Sequence, residues 1–253
     1  MHITSWNVNS LNVRLPHVLQ YLQETAPDIL GLQELKQTDA AIDRTALAAA
    51  GYHLESHGQK TYNGVALLAR EALTDVVRGI PGYADEQARA IAANVGDVRV
   101  LNLYVPNGKA VGDEKYTYKL HWLDAATRYI DDLKREHPRL IITGDYNIAP
   151  ADLDVHDPDK WRDQILCSAP ERQALQNILA LGFKDAYRAL HPDTQQFSWW
   201  DYRMGGLRRN IGLRIDLTLA SDALALLDAG IDTAPRHWER PSDHAPAWVK
   251  IGT

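Results

Sequence analysis

The sequence predicts a mixed α/β architecture, laid out as one domain over residues 1–253. Three observations predict it. Short apolar runs recur along the whole chain, several too uniformly apolar to have one wet face, as expected of strands buried on both sides. Stretches with helical periodicity separate them. One pair of runs is joined by a tight turn, which suits a mixed sheet better than a purely doubly wound one. No Gly/Ser linker, low-complexity tract, internal repeat or sharp change in composition divides the chain.

The elements follow in order. "HITSW" is the first strand. Leu15, Val18, Leu19 and Leu22 then fall at i, i+3, i+4 and i+7 of a helix, with Pro16 near its start. "DILGL" and "NGVALLA" are the next strands. The stretch Arg89 to Asn94 turns at Gly96-Asp97 into Val98 to Val105, a hairpin. A longer helix runs from about Lys115 to Glu136, with Trp122, Ala126, Tyr129, Ile130 and Leu133 on one stripe and Pro138 stopping it. "RLIIT" follows. Ser168-x-x-Glu171 is a capping box that opens a third helix, closed by Gly182 as its C-cap. "RIDLTLA" and "APAWVKI" complete the strands.

Composition narrows the function. Hydrophobic residues make up 45%, enough for a substantial core, yet no run of eighteen apolar residues suggests a membrane span. The start, "MHITSWNVNS", lacks a basic segment followed by an apolar one, so no secretory signal is expected. Cys167 is the single cysteine, which excludes an internal disulfide framework and suits a cytoplasmic location; it reads as a small buried thiol. The net charge of −6 argues against a protein that coats nucleic acid. A local basic face remains open: Arg203, Arg208, Arg209 and Arg214 fall within twelve residues, as a phosphate-binding patch or a solvated loop.

The strand ends share a chemistry. "HITSW" is followed by Asn7 and Asn9, "DILGLQ" by Glu34, and "VLNL" by Tyr104 and Asn107. "LIITG" is followed by Asp145, Tyr146 and Asn147, "RID" carries Asp216, and "SDHAP" places Asp243 and His244 before the last strand. Active sites of α/β proteins are assembled this way, from loops at one edge of a rigid sheet. Glu34, Asp145, Asp216 and Asp243 are hard oxygen donors, with Asn7 and Asn147 as neutral ones. No Cys or His pair has zinc spacing, so the set favours Mg²⁺ or Mn²⁺ and phosphoryl chemistry. Duller readings exist for each: Asp145 as a turn cap, Asn7 as a turn residue, His244 as a satisfied core histidine. Asp216 is harder to dismiss, because a carboxylate within an apolar strand needs a partner; Arg214 and His244 are both candidates. Period-two alternation would put Asp145 and Asn147 on one face and point Tyr146 away into packing.

Together the pieces "SWNVNSL", "DILGLQELK", "GQKTYNGVALLAR", "LNLYVPNG", "EKYTYKLHWL", "IITGDYNIAP", "FSWWDYR", "LRIDLTLAS" and "SDHAP" resemble the exonuclease III family of apurinic/apyrimidinic endonucleases. The wider group is the endonuclease/exonuclease/phosphatase superfamily, and the resemblance spans essentially the whole chain. It implies a four-layer α/β sandwich, two facing mixed sheets flanked by helices. It implies a Mg²⁺-dependent, monomeric DNA repair hydrolase, with Mn²⁺ able to substitute. The activities implied are 3′→5′ exonuclease, 3′-end cleaning (3′-phosphatase and phosphodiesterase) and incision at abasic sites in duplex DNA.

The resemblance also implies roles. Glu34 would bind the metal, with Asn7, Asp243, Asp145 and Asn147 around it. Asp145 would orient or deprotonate the attacking water. Asn147 and Tyr104 would contact the scissile phosphate, and His244, held by Asp216, would stabilise its charge. Asn107 would bind phosphate, Tyr62 and Asn63 would lie along the DNA backbone, and Arg208 and Arg209 would contact DNA. Trp199, Leu213 and Ile215 would line a pocket for a base-free sugar. Two positions depart from the pattern. Many members carry Trp where this chain has Leu213, which makes that wall smaller. Asn9 replaces an acid found in some relatives, which weakens the case for a second metal. The rival readings are an inositol-phosphate or phospholipid phosphatase of the same superfamily, opposed by "FSWWDYR" and "GLRID", and a non-catalytic DNA-binding module, opposed by the intact Glu34, Asp145 and His244.

Overall fold

The computed structural model describes residues 1–252. In chain order the strands and helices are β1 (His2–Asn7), α1 (Leu11–Thr25), β2 (Ile29–Gln33), α2 (Arg44–Ala49), β3 (His53–His57), β4 (Val65–Ala69), β5 (Thr74–Arg78), β6 (Ala90–Val95), β7 (Val98–Tyr104), α3 (Glu114–Glu136), β8 (Leu140–Asp145), α4 (Pro158–Trp161), α5 (Ala169–Leu179), β9 (Phe183–Asp185), α6 (Ala186–Leu190), β10 (Trp199–Trp200), β11 (Gly212–Leu213), β12 (Asp216–Ser221), β13 (Leu226–Ile231) and β14 (Ala247–Ile251). One six-stranded sheet has the order β13-β14-β1-β2-β4-β3 and the other β5-β6-β7-β8-β12-β9. β1 pairs with β2, and β7 with β8, in parallel; the other neighbours in both sheets are antiparallel.

The two sheets face each other, and strand alternation makes the layers. Ile3, Ile29, Val65 and Leu67 of the first sheet pack on Val100, Ile141 and Ala220 of the second. The outer face of the first sheet, with Trp6, Leu30 and Leu32, is covered by Val18, Tyr21 and Leu22 of α1. That of the second, with Leu101, Ile142 and Leu217, is covered by Trp122, Ile130 and Leu133 of α3 and Leu175 and Ile178 of α5. This is the four-layer sandwich that the family resemblance implied. No helix among the described residues is long and apolar enough to cross a membrane.

Three local expectations change. The expected strands cover all eight interior ones and omit the four edges, β3, β5, β9 and β13. Edge strands are covered on fewer sides, so "TDVVR" and "HLESH" carry no uniform apolar run. Pro16 does not open α1 but lies inside it. The start is fixed at Leu11 instead, because Ser10 and Leu11 donate their backbone N–H groups to the Glu34 and Leu35 carbonyls at 2.8 and 3.0 Å. α5 opens with the Ser168–Glu171 capping box but ends at Leu179 with Ala180 as C-cap; Gly182, at φ 90°, turns the chain two residues later.

Candidate active site

Alternation along five strands builds the site. On the face between the sheets, β1 runs Ile3, Ser5, Asn7 and β2 runs Ile29, Gly31, Gln33. In the second sheet, β7 runs Val100, Asn102, Tyr104, β8 runs Ile141, Thr143, Asp145, and β12, read backwards, runs Ala220, Thr218, Asp216. Each goes from apolar to polar toward the same end of the sandwich. The middle rung is a hydrogen-bonded seam: Gln33 Nε2 donates to Asn102 Oδ1 at 2.7 Å and to Ser5 Oγ at 3.0 Å, and Thr143 and Thr218 hydroxyls meet at 3.0 Å. The sheets approach closely there. A Cβ on Gly31 would lie 3.1 Å from Asn102 Cγ. Apart from Gln33, whose amide turns back into that seam, the last rung is the site itself. Gln33 and Asn102 escaped the sequence reading, although this apolar-to-polar alternation was available to find them.

Asn7 sits at the centre. Its Nδ2 donates to Glu34 Oε1 and to Asp145 Oδ2, both at 2.9 Å, while its Oδ1 accepts the Asn9 N–H at 3.0 Å. The amide nitrogen, not the oxygen, therefore faces the carboxylates, so Asn7 is placed as a donor that joins them rather than as an oxygen ligand. Glu34 also pairs with Lys36 Nζ at 2.9 Å, a contact the sequence reading did not foresee, since Lys36 reads as an ordinary loop lysine. Burial opposes the Glu34 charge, but the Lys36 ammonium and the Asn7 amide outweigh it and hold its carboxyl below the ordinary value. Asp243 accepts from Asn9 Nδ2 and Trp199 Nε1, each at 3.0 Å.

Asp216 opposes Asp145 in the β8–β12 register, and it is His244 that pairs with it. Nδ1 lies 3.1 and 2.9 Å from the two Asp216 oxygens, and Nε2 lies 3.8 Å from Asp145 Oδ2. Burial alone would discharge the imidazole; Asp216 and then Asp145 outweigh it and push His244 up to about 10. Burial likewise pushes Asp145 up to about 7, against the pull of His244. Tyr104 is pushed well above its ordinary value by burial, then by Glu34 and Asp145, so its phenol stays a donor.

Arg214, the other candidate partner of Asp216, is committed elsewhere. It is fully buried and pairs with Asp154 at 2.7 Å and Asp185 at 2.7 Å. It leaves the expected basic face, whereas Arg203, Arg208 and Arg209 are exposed on one loop. Asn147 also differs in its cause. It has φ 49°, so strand alternation ends at Asp145. The two meet through a tight turn in which Asn147 N donates to Asp145 Oδ1 at 2.9 Å and Nδ2 lies 3.3 Å from Oδ2. Tyr146 is buried in the outer core, as expected.

The outlying residues divide. Asn107 Nδ2 donates to Asn147 Oδ1 at 3.1 Å. Tyr62, Asn63, Arg89, Tyr104, Asn107 and Lys115 line a cleft of about 520 Å³ that opens on the Tyr104 side of the site. Leu213 and Ile215 do not line an open pocket: at 0% and 1% exposure they pack with Val155, Leu166 and Cys167, and Trp199 is only partly exposed beside them. Cys167 is buried, as expected, and burial pushes its thiol up to about 12.

One metal-sized cluster stands out. Ligand atoms of Glu34, Asp145 and His244 all lie within 4.8 Å of one another. The oxygens of Glu34 and Asp145 are its hard donors. Two carboxylates sharing one amide group, beside polar loops, fit a hard divalent cation.

Comparison with known proteins agrees in sequence and in shape. Residues 4–244 match the Endonuclease/Exonuclease/phosphatase family. The chain is 38% identical over 270 residues to exodeoxyribonuclease III of Haemophilus influenzae, covering 99% of this chain and 100% of that protein. It superposes on the structure of the 3′ phosphatase NExo from Neisseria bound to product DNA hairpin with a TM-score of 0.99, at 47% identity and full coverage of both chains. It superposes on an AP endonuclease from Archaeoglobus fulgidus with a TM-score of 0.97, at 36% identity, again over both whole chains.

Proposed function

Since the chain belongs to the endonuclease/exonuclease/phosphatase family and is a nuclease with exodeoxyribonuclease III relatives, we propose that it is a Mg²⁺-dependent DNA repair phosphodiesterase. Its substrates are 3′ ends and abasic sites of duplex DNA, and it works as a monomer in the cytoplasm. The observation that carries this reading is the joined set Glu34–Asn7–Asp145 with His244–Asp216 behind it.

Phosphodiester hydrolysis needs an activated water, neutralised non-bridging oxygens and a stabilised leaving oxygen. Asp145 is the base. Asn7 and the Asn147 N–H fix the orientation of its carboxylate. His244 faces the same space as an imidazolium, and Asp216 holds its Nδ1 proton so that the Nε2 proton is free to meet phosphate. Tyr104 supplies a neutral donor, and Asn147, whose Nδ2 is held by Val105 O and Asp145, orients Asn107, which continues toward the cleft lined by Tyr62 and Asn63. Glu34 and Asp145 would hold Mg²⁺, with Asp243 close by; when bound it supplies charge neutralisation at the phosphate. Arg208 and Arg209 would meet the DNA backbone.

The test is turnover of three duplexes in parallel: one with a 3′-phosphate, one with a 3′-hydroxyl and one with a central abasic site. Release of inorganic phosphate and of mononucleotides, dependent on divalent cation, is expected. No turnover of any duplex, with turnover of a soluble inositol phosphate, would overturn the reading.

A further inference from the structure

Lys119 is a cation with no surface. It lies in α3 at 0% exposure. A buried ammonium is costly unless its three protons find acceptors. Here they reach three separate segments. Nζ donates to the Asn147 backbone oxygen at 2.6 Å and to that of Asn107 at 3.3 Å, and it pairs with the Glu171 carboxylate. Glu171 is also at 0% exposure and accepts from Leu166 N, Ser168 N and Ser168 Oγ at 3.1, 3.1 and 2.6 Å. The cap of α5 thus continues, through an ion pair, into the site.

Both carbonyls belong to residues whose side-chain amides face the reacting end of the sandwich. Among the described residues no backbone N–H donates to either. Asn147 holds a left-handed conformation, and its Nδ2 also donates to Val105 O at 3.0 Å. Asn107 Nδ2 donates to Asn147 Oδ1, so the two amides are linked to each other in front and to Lys119 behind. The Asn107–Gly108 loop lies directly on the lysine stem: a Cβ on Gly108 would sit 3.1 Å from Lys119 Cδ.

We propose that Lys119 is a positioning residue for phosphodiester hydrolysis: its ammonium, held by Glu171, fixes the Asn107 and Asn147 carbonyls and so sets the linked amides from which Asn107 Nδ2 reaches the phosphate. This rests on the nuclease reading above. Lys119 itself touches no substrate.

The experiment uses Lys119→Met and Glu171→Gln, singly and together. Each single change leaves a buried charge or acceptor unpaired; the double change removes both charges while Gln keeps the capping-box acceptor. A purely structural pair predicts that the double variant recovers both thermal stability and kcat. Positioning predicts that stability recovers in part, the buried Asn147 carbonyl having lost its donor, while kcat on the 3′-phosphate duplex stays about 100-fold low, with KM much less affected. A second readout is independent of turnover: the side-chain amide NMR resonances of Asn107 and Asn147 shift in the double variant while distant resonances do not. Wild-type kcat with unmoved amide resonances in the double variant would overturn the proposal. Were the wild-type protein inactive on DNA, the nuclease reading would fall, and the resonances would still decide whether Lys119 sets the amides. Should the double variant not fold, Glu171→Gln alone decides by the same resonances, and unmoved ones would overturn the proposal.

Discussion

His244 Nδ1 lies within 3.1 Å of both carboxylate oxygens of Asp216, a residue 28 positions earlier in the chain. An ionised carboxylate only accepts, so Nδ1 carries the proton and the second ring nitrogen faces Asp145. The raised His244 value, about 10 against 6.5, has a sign for stability. The contribution is complete below pH 6.5 and is lost as pH rises toward 10. In metal-free protein the melting temperature is expected to fall between pH 7 and 10, and His244→Asn should flatten that slope. Asp145, raised to about 7, lowers stability with the same sign but is almost fully ionised by about pH 8.5, so the comparison is made between about pH 8.5 and 10. An unchanged slope in His244→Asn would show that another group titrates there.

Asp145→Asn removes the base but keeps the turn, since Asn Oδ1 can still accept the Asn147 N–H. We expect kcat to fall by ~10²-fold or more with DNA affinity retained. Loss of affinity with kcat intact would make Asp145 a structural cap.

Metal dependence follows from the two carboxylates joined by Asn7. Chelator should abolish turnover, Mg²⁺ or Mn²⁺ should restore it, and Glu34→Gln should raise the Mg²⁺ concentration needed, read by isothermal titration calorimetry as weaker binding. Full turnover in chelator would overturn the cation's role.

The arginines of the 203–214 stretch should separate by burial. Arg208→Ala with Arg209→Ala is expected to reduce the salt slope of DNA binding by ~1 to 2 units with the melting temperature unchanged. Arg214→Ala should instead cost ~3 to 5 kcal/mol of stability, because it strands the buried carboxylates of Asp154 and Asp185. Chemical denaturation and fluorescence titration in varied salt check both. A stable Arg214→Ala with a changed salt slope would return that residue to the DNA face.

Substrate preference follows from Leu213. Incision at an abasic site needs the sugar to leave the helix, at roughly a few kcal/mol, and a pocket wall to receive it. Leu213 and Ile215 are packed away and offer no wall, whereas a frayed 3′ end needs none. We expect kcat/KM for 3′-phosphate removal to equal or exceed that for abasic incision under matched salt and Mg²⁺. Incision a hundredfold faster would show that the wall opens on binding.

Much of this was legible in the chain because burial on both sides writes itself as uniform apolar runs. That identified the eight interior strands and, at their polar ends, the residue types of a phosphoryl-transfer site. Edge strands escaped because partial exposure leaves no such run. Beyond that, the sequence determined which groups exist, and tertiary structure decided which groups meet. Asp216 had two eligible partners, and only the juxtaposition of β12 with the segment before β14 chose His244 over Arg214. Asn7 was an oxygen donor by type, but the Asn9 N–H takes its oxygen and turns its nitrogen to the acids. Asn147 joins Asp145 through a left-handed turn rather than strand alternation. Lys119 is one more lysine of a helix by sequence, and only the fold closes two distant carbonyls and a capping glutamate around it. Local periodicity fixes burial, which is a property of one segment; pairing and orientation are properties of segments far apart in sequence, and only the packed sandwich brings them within hydrogen-bond reach.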